Sequence, residues 1–400
     1  MFRTRKQARI EDDLVEIRQN ALGTRFGIEE IEAVIRAMRN GHASGLTSDG
    51  EGARFARYCG VEFGLPLNGA CNALSIAARL VDLKPGDEII SNPITYIATA
   101  IYALRHDATV RFTETEPETL NVDESSIEAL ITPATKALFI ASYEGHVPDM
   151  DRLRNIADDH GLFFIFDAAR CCGGRYRGQS IAQFAHATAF SFQEQKNMAT
   201  GDSGMLVLGP DAPSSWQKKA TQLRNVRGTG DIIGENFRMD ELQAAIGRAQ
   251  LPKLDRMNDE RRDLARRLTE GLAEYPFIRP VRTFADRHHV FHWFMATIDP
   301  AVFATRKPVF AAPIDGAIAL EPVRVFANEM AKEGIDMPSH NSPVYLTETY
   351  SSRGYESGLS PISEALWRER IVRFALNLGM TDAEIETIVT AVGRVVSRLT

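Results

Sequence analysis

Residues 150–167, MDRLRNIADDHGLFFIFD, contain the elements that decide the fold class. The spacing predicts a helix over residues 150–160, and the apolar run 162–166 that follows predicts a short buried strand. A helix that leads directly into a buried strand is what a right-handed crossover between parallel strands requires. The segment therefore indicates an α/β fold with a parallel sheet.

Short apolar runs alternate with predicted helices on both sides of this segment. This alternation is typical of a mostly parallel central sheet that is flanked by helices on both faces. The other predicted strands are 88–91, 109–112, 137–141, 187–192 and 205–208, and the other predicted helices are 28–40, 72–81 and 97–104.

The length of the chain predicts more than one domain, because 400 residues exceed what a single hydrophobic core usually serves. After Gly234 the pattern changes to a long helical, charge-rich segment from about 239 to 274, followed by an apparent strand at 290–298 and two C-terminal helices. Four arginines of this segment are expected on solvated faces: Arg261, Arg262, Arg266 and Arg267. We therefore expect an N-terminal arm (1–25), a large domain (26–255) and a smaller α+β C-terminal domain (256–400).

The composition and charge exclude several classes of protein. A net charge of −7 without a basic stripe argues against nucleic acid as a partner. Residues 1–13 are charged throughout, which argues against a signal peptide, and no apolar run reaches the roughly 20 residues that span a bilayer. Of the four cysteines, Cys171 and Cys172 are adjacent, which suits neither a metal knuckle nor a disulfide framework. These features predict a reduced, cytoplasmic protein of the size of an enzyme, and we expect no metal site.

Asp167 stands directly after the predicted strand 162–166, at the edge where open α/β sheets bind ligands. A carboxylate buried there is costly unless it is paired. One interpretation is that Asp167 meets a buried cation, such as a protonated ring nitrogen. The alternative is a helix N-cap or a structural ion pair.

Lys196 and Ser191 follow the next predicted strand, 187–192. A lysine that emerges beside a buried strand end can lose its charge by desolvation and become nucleophilic, as Schiff-base chemistry requires. Such a lysine is also commonly a surface residue, and the nearby carboxylate and hydroxyl are what favour the functional interpretation.

Two further segments could hold a flat phosphorylated molecule. Asn68-Gly69-Ala70-Cys71-Asn72 offers backbone N–H groups at a predicted helix start, which suits a phosphate, although an ordinary capped helix would look the same. Tyr96 follows another strand and could lie over a heteroaromatic ring or simply pack against its neighbours.

Two other patterns do not support a site. Gly228-Thr229-Gly230 with Gly234 has the wrong spacing for a dinucleotide fingerprint. A histidine group on a probable strand has no carboxylate or cysteine that would complete a metal set, so surface and packing positions are expected: His288, His289 and His292.

The order of these motifs resembles the DegT/StrS-type sugar aminotransferases, within the fold-type-I superfamily of aspartate aminotransferase. The resemblance extends over about residues 25–255, and the C-terminal third is only loosely similar. It rests on these segments: 68–74 (NGACNAL), 84–88 (KPGDE), 93–98 (PITYIA), 131–137 (ITPATKA), 149–151 (DMD), 167–169 (DAA), 191–196 (SFQEQK) and 234–239 (GENFRM).

The resemblance implies a pyridoxal 5′-phosphate enzyme with a role for each matching residue. Lys196 would form the internal aldimine and shuttle the proton between substrate and cofactor carbons. Asp167 would pair with the pyridinium nitrogen, and Tyr96 would stack on the ring. The phosphate would be held by Ser191 and by the amides of Ala70 and Cys71. Asn236 would reach the phosphate from the neighbouring subunit, which implies a homodimer.

Four departures from the family pattern bear on the substrate. Arg170 stands where Gln or His usually follows Asp-Ala-Ala, and it could contact the phenolic oxygen of the cofactor, bind an acidic group of the substrate, or point away. Ala70 or Cys71 replaces the usual Thr of the phosphate loop. Val226-Arg227 replaces a common His-Gly pair, and Asp202-Ser203 replaces Glu-Gly.

The resulting prediction is a cytoplasmic aminotransferase that works by a ping-pong reaction. Glutamate or glutamine would donate the amino group to a keto sugar, nucleotide-linked as the commonest substrate of the family, or to a keto-cyclitol, in amino sugar, antibiotic or polysaccharide biosynthesis. A dehydratase on the same fold is the first alternative, but that branch typically carries histidine in place of Lys196. A non-catalytic regulatory protein that binds the cofactor is the second, and Arg170 is the residue that keeps it open.

Overall fold

The computed structural model describes residues 23–40, 49–226, 232–303, 322–337 and 340–399. Its strands are β1 (Phe63–Leu67), β2 (Glu88–Ser91), β3 (Thr109–Phe112), β4 (Thr135–Ala141), β5 (Phe163–Asp167), β6 (Arg175–Tyr176), β7 (Gln179–Ser180), β8 (Ala187–Ser191), β9 (Gly204–Leu208), β10 (Ile278–Pro280), β11 (Arg287–His288), β12 (Phe294–Ile298) and β13 (Ile371–Phe374). Its helices are α1 (Ile28–Arg39), α2 (Asp49–Cys59), α3 (Ala70–Val81), α4 (Ala98–Leu104), α5 (Met150–Asp159), α6 (Ser215–Arg224), α7 (Glu241–Gln250), α8 (Leu254–Leu272), α9 (Pro322–Lys332), α10 (Glu348–Ser351), α11 (Pro361–Glu369) and α12 (Asp382–Leu399).

A seven-stranded sheet with the order β1-β9-β8-β5-β4-β2-β3 forms the centre of the molecule. The strands from β8 to β3 are parallel, whereas β9 runs antiparallel to both of its neighbours, β1 and β8. The predicted fold class, a mostly parallel α/β sheet flanked by helices, is confirmed.

The crossover from β4 through α5 to β5 shows how the sequence builds this sheet. The side chain of Asp149 caps α5 by accepting a hydrogen bond of 3.1 Å from the amide of Arg152. The buried face of α5, which includes Met150, Leu153 and Ile156, packs on the sheet. Ala141 at the end of β4 is in register with Asp167 at the end of β5, so the two strands end at the same edge of the sheet.

Alternate residues of the strands supply the cores on the two faces of the sheet. Phe164 and Phe166 belong to one apolar cluster, together with α5. Ile165, between them, belongs to the cluster on the other face, together with α3 and α4. Both faces of the sheet are therefore covered, as its nearly continuous apolar strands predict.

The C-terminal part contains a smaller antiparallel sheet, β10-β12-β13, which packs with α8, α9 and α12 around an apolar cluster of its own. Three aromatic or aliphatic residues from the same part of the sequence pack instead with the seven-stranded sheet: Val344, Tyr345 and Tyr350. The domain limits at residues 25 and 255 stay a prediction.

The charge-rich segment after residue 239 is helical, as predicted, and corrects one expectation. It is divided between α7, which ends at Gln250, and α8, which begins at Leu254, with Pro252 between them. Arg261 is not solvated: it is fully buried, and its Nη1 donates to the carbonyl of Leu376 at 2.7 Å. The reason is its position on α8, since it lies on the same face as the buried Met257 and Leu264.

Within the part of the chain that the structure describes, no helix is both long and apolar enough to cross a membrane.

Candidate active site

The candidate site lies at the carboxyl edge of the central strands. Asp167 is the last residue of β5, and Ser191 is the last residue of the adjacent parallel strand β8. Lys196 lies in the loop that follows β8. Neighbouring parallel strands end at the same edge, so the topology brings these three residues together.

Asp167 is 5% exposed and accepts two hydrogen bonds. The hydroxyl of Thr99 donates to Oδ2 at 2.7 Å, and the amide of Ala169 donates to Oδ1 at 3.0 Å. Burial raises the pKa of the carboxyl group, while these hydrogen bonds and the charges of Lys196 and Arg170 oppose that rise. A carboxylate that is held this firmly and is short of water is suited to pair with a cation.

Lys196 has an amine that is far less basic than a lysine in water. Burial is the largest cause and lowers its pKa from 10.5 to about 8, and the Arg170 charge acts in the same direction. The acidic groups Glu144 and Asp167 oppose the shift. A neutral amine is therefore accessible near neutral pH, as nucleophilic chemistry requires.

The loop that carries Lys196 is held by hydrogen bonds at its base. The amide of Lys196 donates to the carbonyl of Gln193 at 2.8 Å. The side-chain amide of Asn197 donates to Asn258 Oδ1 at 2.9 Å and to the carbonyl of Val290 at 2.8 Å. The backbone at Lys196 is thus fixed although the residue lies outside regular secondary structure.

The start of α3 forms the proposed phosphate cradle. Gly69 precedes the helix and has no side chain to cap it, and the first amides of a helix, here those of Ala70 and Cys71, have no intrahelical acceptors. The helix start also lies very close to β9: a Cβ on Gly204 would be 2.5 Å from the amide nitrogen of Ala70. The glycine therefore permits the close approach of the cradle to the sheet.

Ser191 and Tyr96 both lie at this edge. Ser191 is 7% exposed, and its Oγ accepts a hydrogen bond of 3.4 Å from the amide of Gln193. Tyr96 follows β2 and is 55% exposed; it lies near Tyr102, whose hydroxyl contacts the Cys71 thiol. The roles of Ser191 and Tyr96 toward a cofactor stay predictions.

The backbone of Asn236 lies close to Asn68, which precedes the start of α3 in the same chain. Its carbonyl accepts a hydrogen bond of 3.3 Å from Asn68 Nδ2, and the carbonyl of Phe237 accepts one of 2.9 Å from the amide of Asn68. The Asn236 residue is exposed. That its side chain reaches into a neighbouring subunit stays a prediction.

Arg170 is paired with a buried carboxylate that the sequence did not reveal. Its Nη1 contacts Glu144 Oε1, and the Glu144 side chain is fully buried. Arg373 Nη1 lies 3.2 Å from the same oxygen, and His292 Nε2 lies 3.9 Å from Oε2. The Arg170 charge acts on both Asp167 and Lys196.

Thr99 and Glu144 are the site residues that sequence reasoning missed. Glu144 follows β4, which lies next to β5, so the rule that singled out Asp167 applied to it as well. One sequence signal for Thr99 was available: it is a hydroxyl residue in an otherwise apolar predicted helix, four residues after Thr95. In the structure the hydroxyls of Thr95 and Thr99 lie 2.8 Å apart.

Two sequence features lie outside the described residues. One is the glycine-containing segment whose spacing does not match a dinucleotide fingerprint, Gly228-Thr229-Gly230, and the other is Arg227. The histidines that were expected at surface and packing positions do occupy such positions: His289 and His292 are each 3% exposed, and His288 is partly exposed.

A mostly parallel sheet with a lysine of lowered pKa, a buried aspartate and an uncapped helix start at one edge is the arrangement expected of a fold-type-I enzyme. The chain belongs to the DegT/DnrJ/EryC1/StrS aminotransferase family, whose family model matches residues 25–393.

Individual relatives agree with this placement. The chain is 33% identical over 347 residues to dTDP-3-amino-3,4,6-trideoxy-alpha-D-glucose transaminase of Streptomyces venezuelae, covering 84% of each protein. It is similar to the crystal structure of S. venezuelae DesV in complex with a ketimine intermediate, with a TM-score of 0.81, 30% identity and coverage of 93% of this chain and 95% of that one. The fold also matches Spr1654 of Streptococcus pneumoniae in its PLP-form, with a TM-score of 0.82, 22% identity and coverage of 94% of this chain and 98% of that one.

Proposed function

We propose that the protein is a pyridoxal-phosphate-dependent aminotransferase that moves an amino group from glutamate or glutamine to a keto sugar. The observation that carries the proposal is the position of Lys196 and Asp167 at one edge of the sheet, where Asp167 ends β5 and Lys196 follows the adjacent parallel strand β8. A lysine amine and a buried carboxylate at the same edge are the two groups that attach such a cofactor and hold its ring nitrogen.

The residues at this edge fit the cofactor in three respects. The uncapped amides of Ala70 and Cys71 suit a phosphate, and Gly204 leaves the space that brings them against the sheet. Asp167 is a buried carboxylate whose raised pKa would return toward its ordinary value beside a ring cation. Lys196, in the loop after β8, offers an amine with a pKa of about 8 at the same edge of the sheet.

When bound, pyridoxal phosphate supplies an electron sink for the carbon that gains or loses the amino group. The Nζ of Lys196 would accept a proton from that carbon and pass it to the cofactor, because burial keeps the amine partly neutral. Asp167, fixed by Thr99, would hold the proton on the ring nitrogen. Ser191, Ala70 and Cys71 would bind the phosphate, and Tyr96 would cover the ring.

The substrate and the assembly form the finer part of the proposal. We place the acceptor among nucleotide-linked keto sugars, which is supported by the 33% identity to a transaminase whose name specifies a dTDP sugar. A keto-cyclitol is the second acceptor class. The reaction would proceed in two half-reactions, in the cytoplasm, by a homodimer in which Asn236 contributes to the partner's phosphate site.

The test combines covalent trapping with mass spectrometry. Sodium borohydride should fix a pyridoxyl group on the tryptic peptide that contains Lys196, and L-glutamate added beforehand should prevent the labelling. Lys196→Ala should lose both the label and the visible absorption band while its circular dichroism is retained. The control is Lys136→Ala, because Lys136 is 46% exposed and pairs with Asp87. Labelling of another lysine, or none, would reject the proposal.

A further inference from the structure

Glu144 occupies a backbone position that glutamate rarely adopts. It lies in a tight turn, in which the amide of His146 donates to the carbonyl of Tyr143 at 2.9 Å, and its φ is +46°. Non-glycine residues at positive φ are uncommon, and those found there are mostly asparagine or aspartate. A glutamate held in such a position is a reason to look for a role of its side chain.

The carboxylate of Glu144 joins three separate parts of the chain inside the protein. It contacts Arg170 from the loop after β5 and Arg373 from β13, and His292 lies beside it. Its own carbonyl accepts a hydrogen bond of 2.9 Å from the amide of His292. The carboxylate therefore fixes the direction of the Arg170 guanidinium from a fully buried anchor.

Arg170 keeps part of its side chain exposed and has hydrogen-bonding capacity to spare. Its side chain is 16% exposed, and among the described residues its only hydrogen bond is the one to Glu144. A guanidinium has five N–H donors in a planar fork, and such a fork matches the two oxygens of a carboxylate. Because Glu144 occupies one terminal nitrogen, the rest of the fork can receive a ligand near Lys196.

A cavity adjoins this cluster on the side of the C-terminal part. Its volume is about 670 Å³, and it is lined by residues that include Gln195, Trp293 and Arg373. The guanidinium of Arg373 lies 4.4 Å from the centre of the Trp293 ring. Arg170 and Lys196 do not line this cavity, but Gln195 precedes Lys196 in the chain and Arg373 shares the Glu144 carboxylate with Arg170. The cavity therefore borders the cluster, and its volume suits a small substrate.

We propose that Arg170 is a carboxylate-binding residue of the substrate site and that Glu144 is the positioning residue that aims it. The proposal rests on the proposed function in one respect, since it gives the substrate of that same site an acidic group. This group is either the α-carboxylate of the amino donor or a carboxylate on the acceptor sugar. Both use the same chemistry, a bidentate pair with the guanidinium.

Calorimetric titration of the holoenzyme with two unreactive probes tests the proposal and separates the two sources. Glutarate represents the amino donor, and D-glucuronate, compared with D-glucose, represents an acidic acceptor. Arg170→Gln should weaken binding of one acidic probe about tenfold to a hundredfold, as expected when a charge-assisted hydrogen bond is lost. Arg170→Lys should lie between, because it keeps the charge without the fork. If Arg170→Gln does not fold, the Arg170→Lys variant alone tests the proposal.

The matched control is Arg177→Gln. Arg177 also pairs with a carboxylate, that of Asp151, but its side chain is 62% exposed. This variant should bind both probes as the unsubstituted protein does. Equal affinity of the Arg170 variants and the unsubstituted protein, or no measurable binding of either acidic probe to the unsubstituted protein, overturns the proposal.

A double-mutant cycle tests the positioning role of Glu144. If Glu144 acts through Arg170, Glu144→Gln should change probe affinity in the unsubstituted background and leave it unchanged in the Arg170→Gln background. The same change in both backgrounds would show that Glu144 has only a structural role. The readout needs no turnover, and the same titrations can be made on protein that was incubated with pyridoxal phosphate but takes no pyridoxyl label on Lys196. Arg170-dependent binding by such protein would reject the proposed function and leave the subsite standing.

Discussion

The rate at which the cofactor-free protein captures pyridoxal phosphate should depend on pH through Lys196. Burial lowers the pKa of this amine from 10.5 to about 8. At pH 7 about a tenth of an amine with a pKa of 8 is neutral, compared with about three parts in ten thousand at a pKa of 10.5. The structure therefore gives Lys196 a roughly 300-fold larger nucleophilic fraction than an exposed lysine. The capture rate should rise with pH up to about 8 and then level off.

Stopped-flow absorbance at constant ionic strength measures this capture. Pyridoxal phosphate itself ionises, so each rate should be divided by the rate of Nα-acetyl-lysine under the same conditions. That ratio should fall above about pH 8, as the free amine continues to gain its neutral form. Arg170→Gln should move the levelling point to higher pH, because the Arg170 charge also lowers the pKa of Lys196. A ratio that stays constant to pH 10 would show that Lys196 is an ordinary lysine and would refute the reasoning.

Three further predictions follow from buried contacts. Thr99→Val removes the 2.7 Å hydrogen bond to Asp167 and should weaken cofactor affinity about tenfold in fluorescence titrations, while Thr99→Ser should not; equal affinities would contradict this. Gly204→Ala places a Cβ 2.5 Å from the amide nitrogen of Ala70, so the purified variant should retain little cofactor absorbance, and full retention would argue against the phosphate cradle. Burial lowers the pKa of His146 from 6.5 to about 3, so the folded state cannot take up the proton that the unfolded state binds, and stability should fall as pH drops below 6.5. His289, His292 and His340 are also buried with lowered pKa values and lose stability over the same range. The loss between pH 7.5 and 4.5 in urea unfolding should therefore be about 3 kcal/mol smaller in His146→Phe than in the unsubstituted protein. An equal loss in both proteins would exclude His146 as a source.

The central strands could be predicted because each is a short apolar run between helices. The strand predicted at 109–112 has the same bounds as β3, and the run at 205–208 differs from β9 by one residue. The direction of β9 could not be predicted, because an apolar run buried on both faces carries no mark of parallel or antiparallel pairing. Strand β1 was missed since its sequence, FGLPL, contains Gly64 and Pro66, which lower strand propensity. The sheet tolerates Pro66 because β1 is an edge strand.

The candidate site was predictable where a single residue marks the end of a strand. Asp167 and Lys196 were found in this way, and the structure places them near enough for the Lys196 charge to lower the pKa of Asp167. Glu144 was missed because its importance depends on partners far away in the sequence, Arg170 and Arg373, and such pairing is set by tertiary packing. Arg261 was misplaced for the opposite reason: its charge suggested solvent, although its spacing from Leu264 and Leu268 puts it on the buried face.

The burial of Arg261 has a consequence for local unfolding of the two segments that it joins. One guanidinium donates to the carbonyl of Gly23 and to that of Leu376, so it joins the beginning of the described chain to the segment that leads into α12. If either segment detached, a charged donor would remain inside the protein without that acceptor, which is costly. The two segments should therefore become accessible to a protease together. Cleavage near Gly23 should be accompanied by cleavage near Leu376.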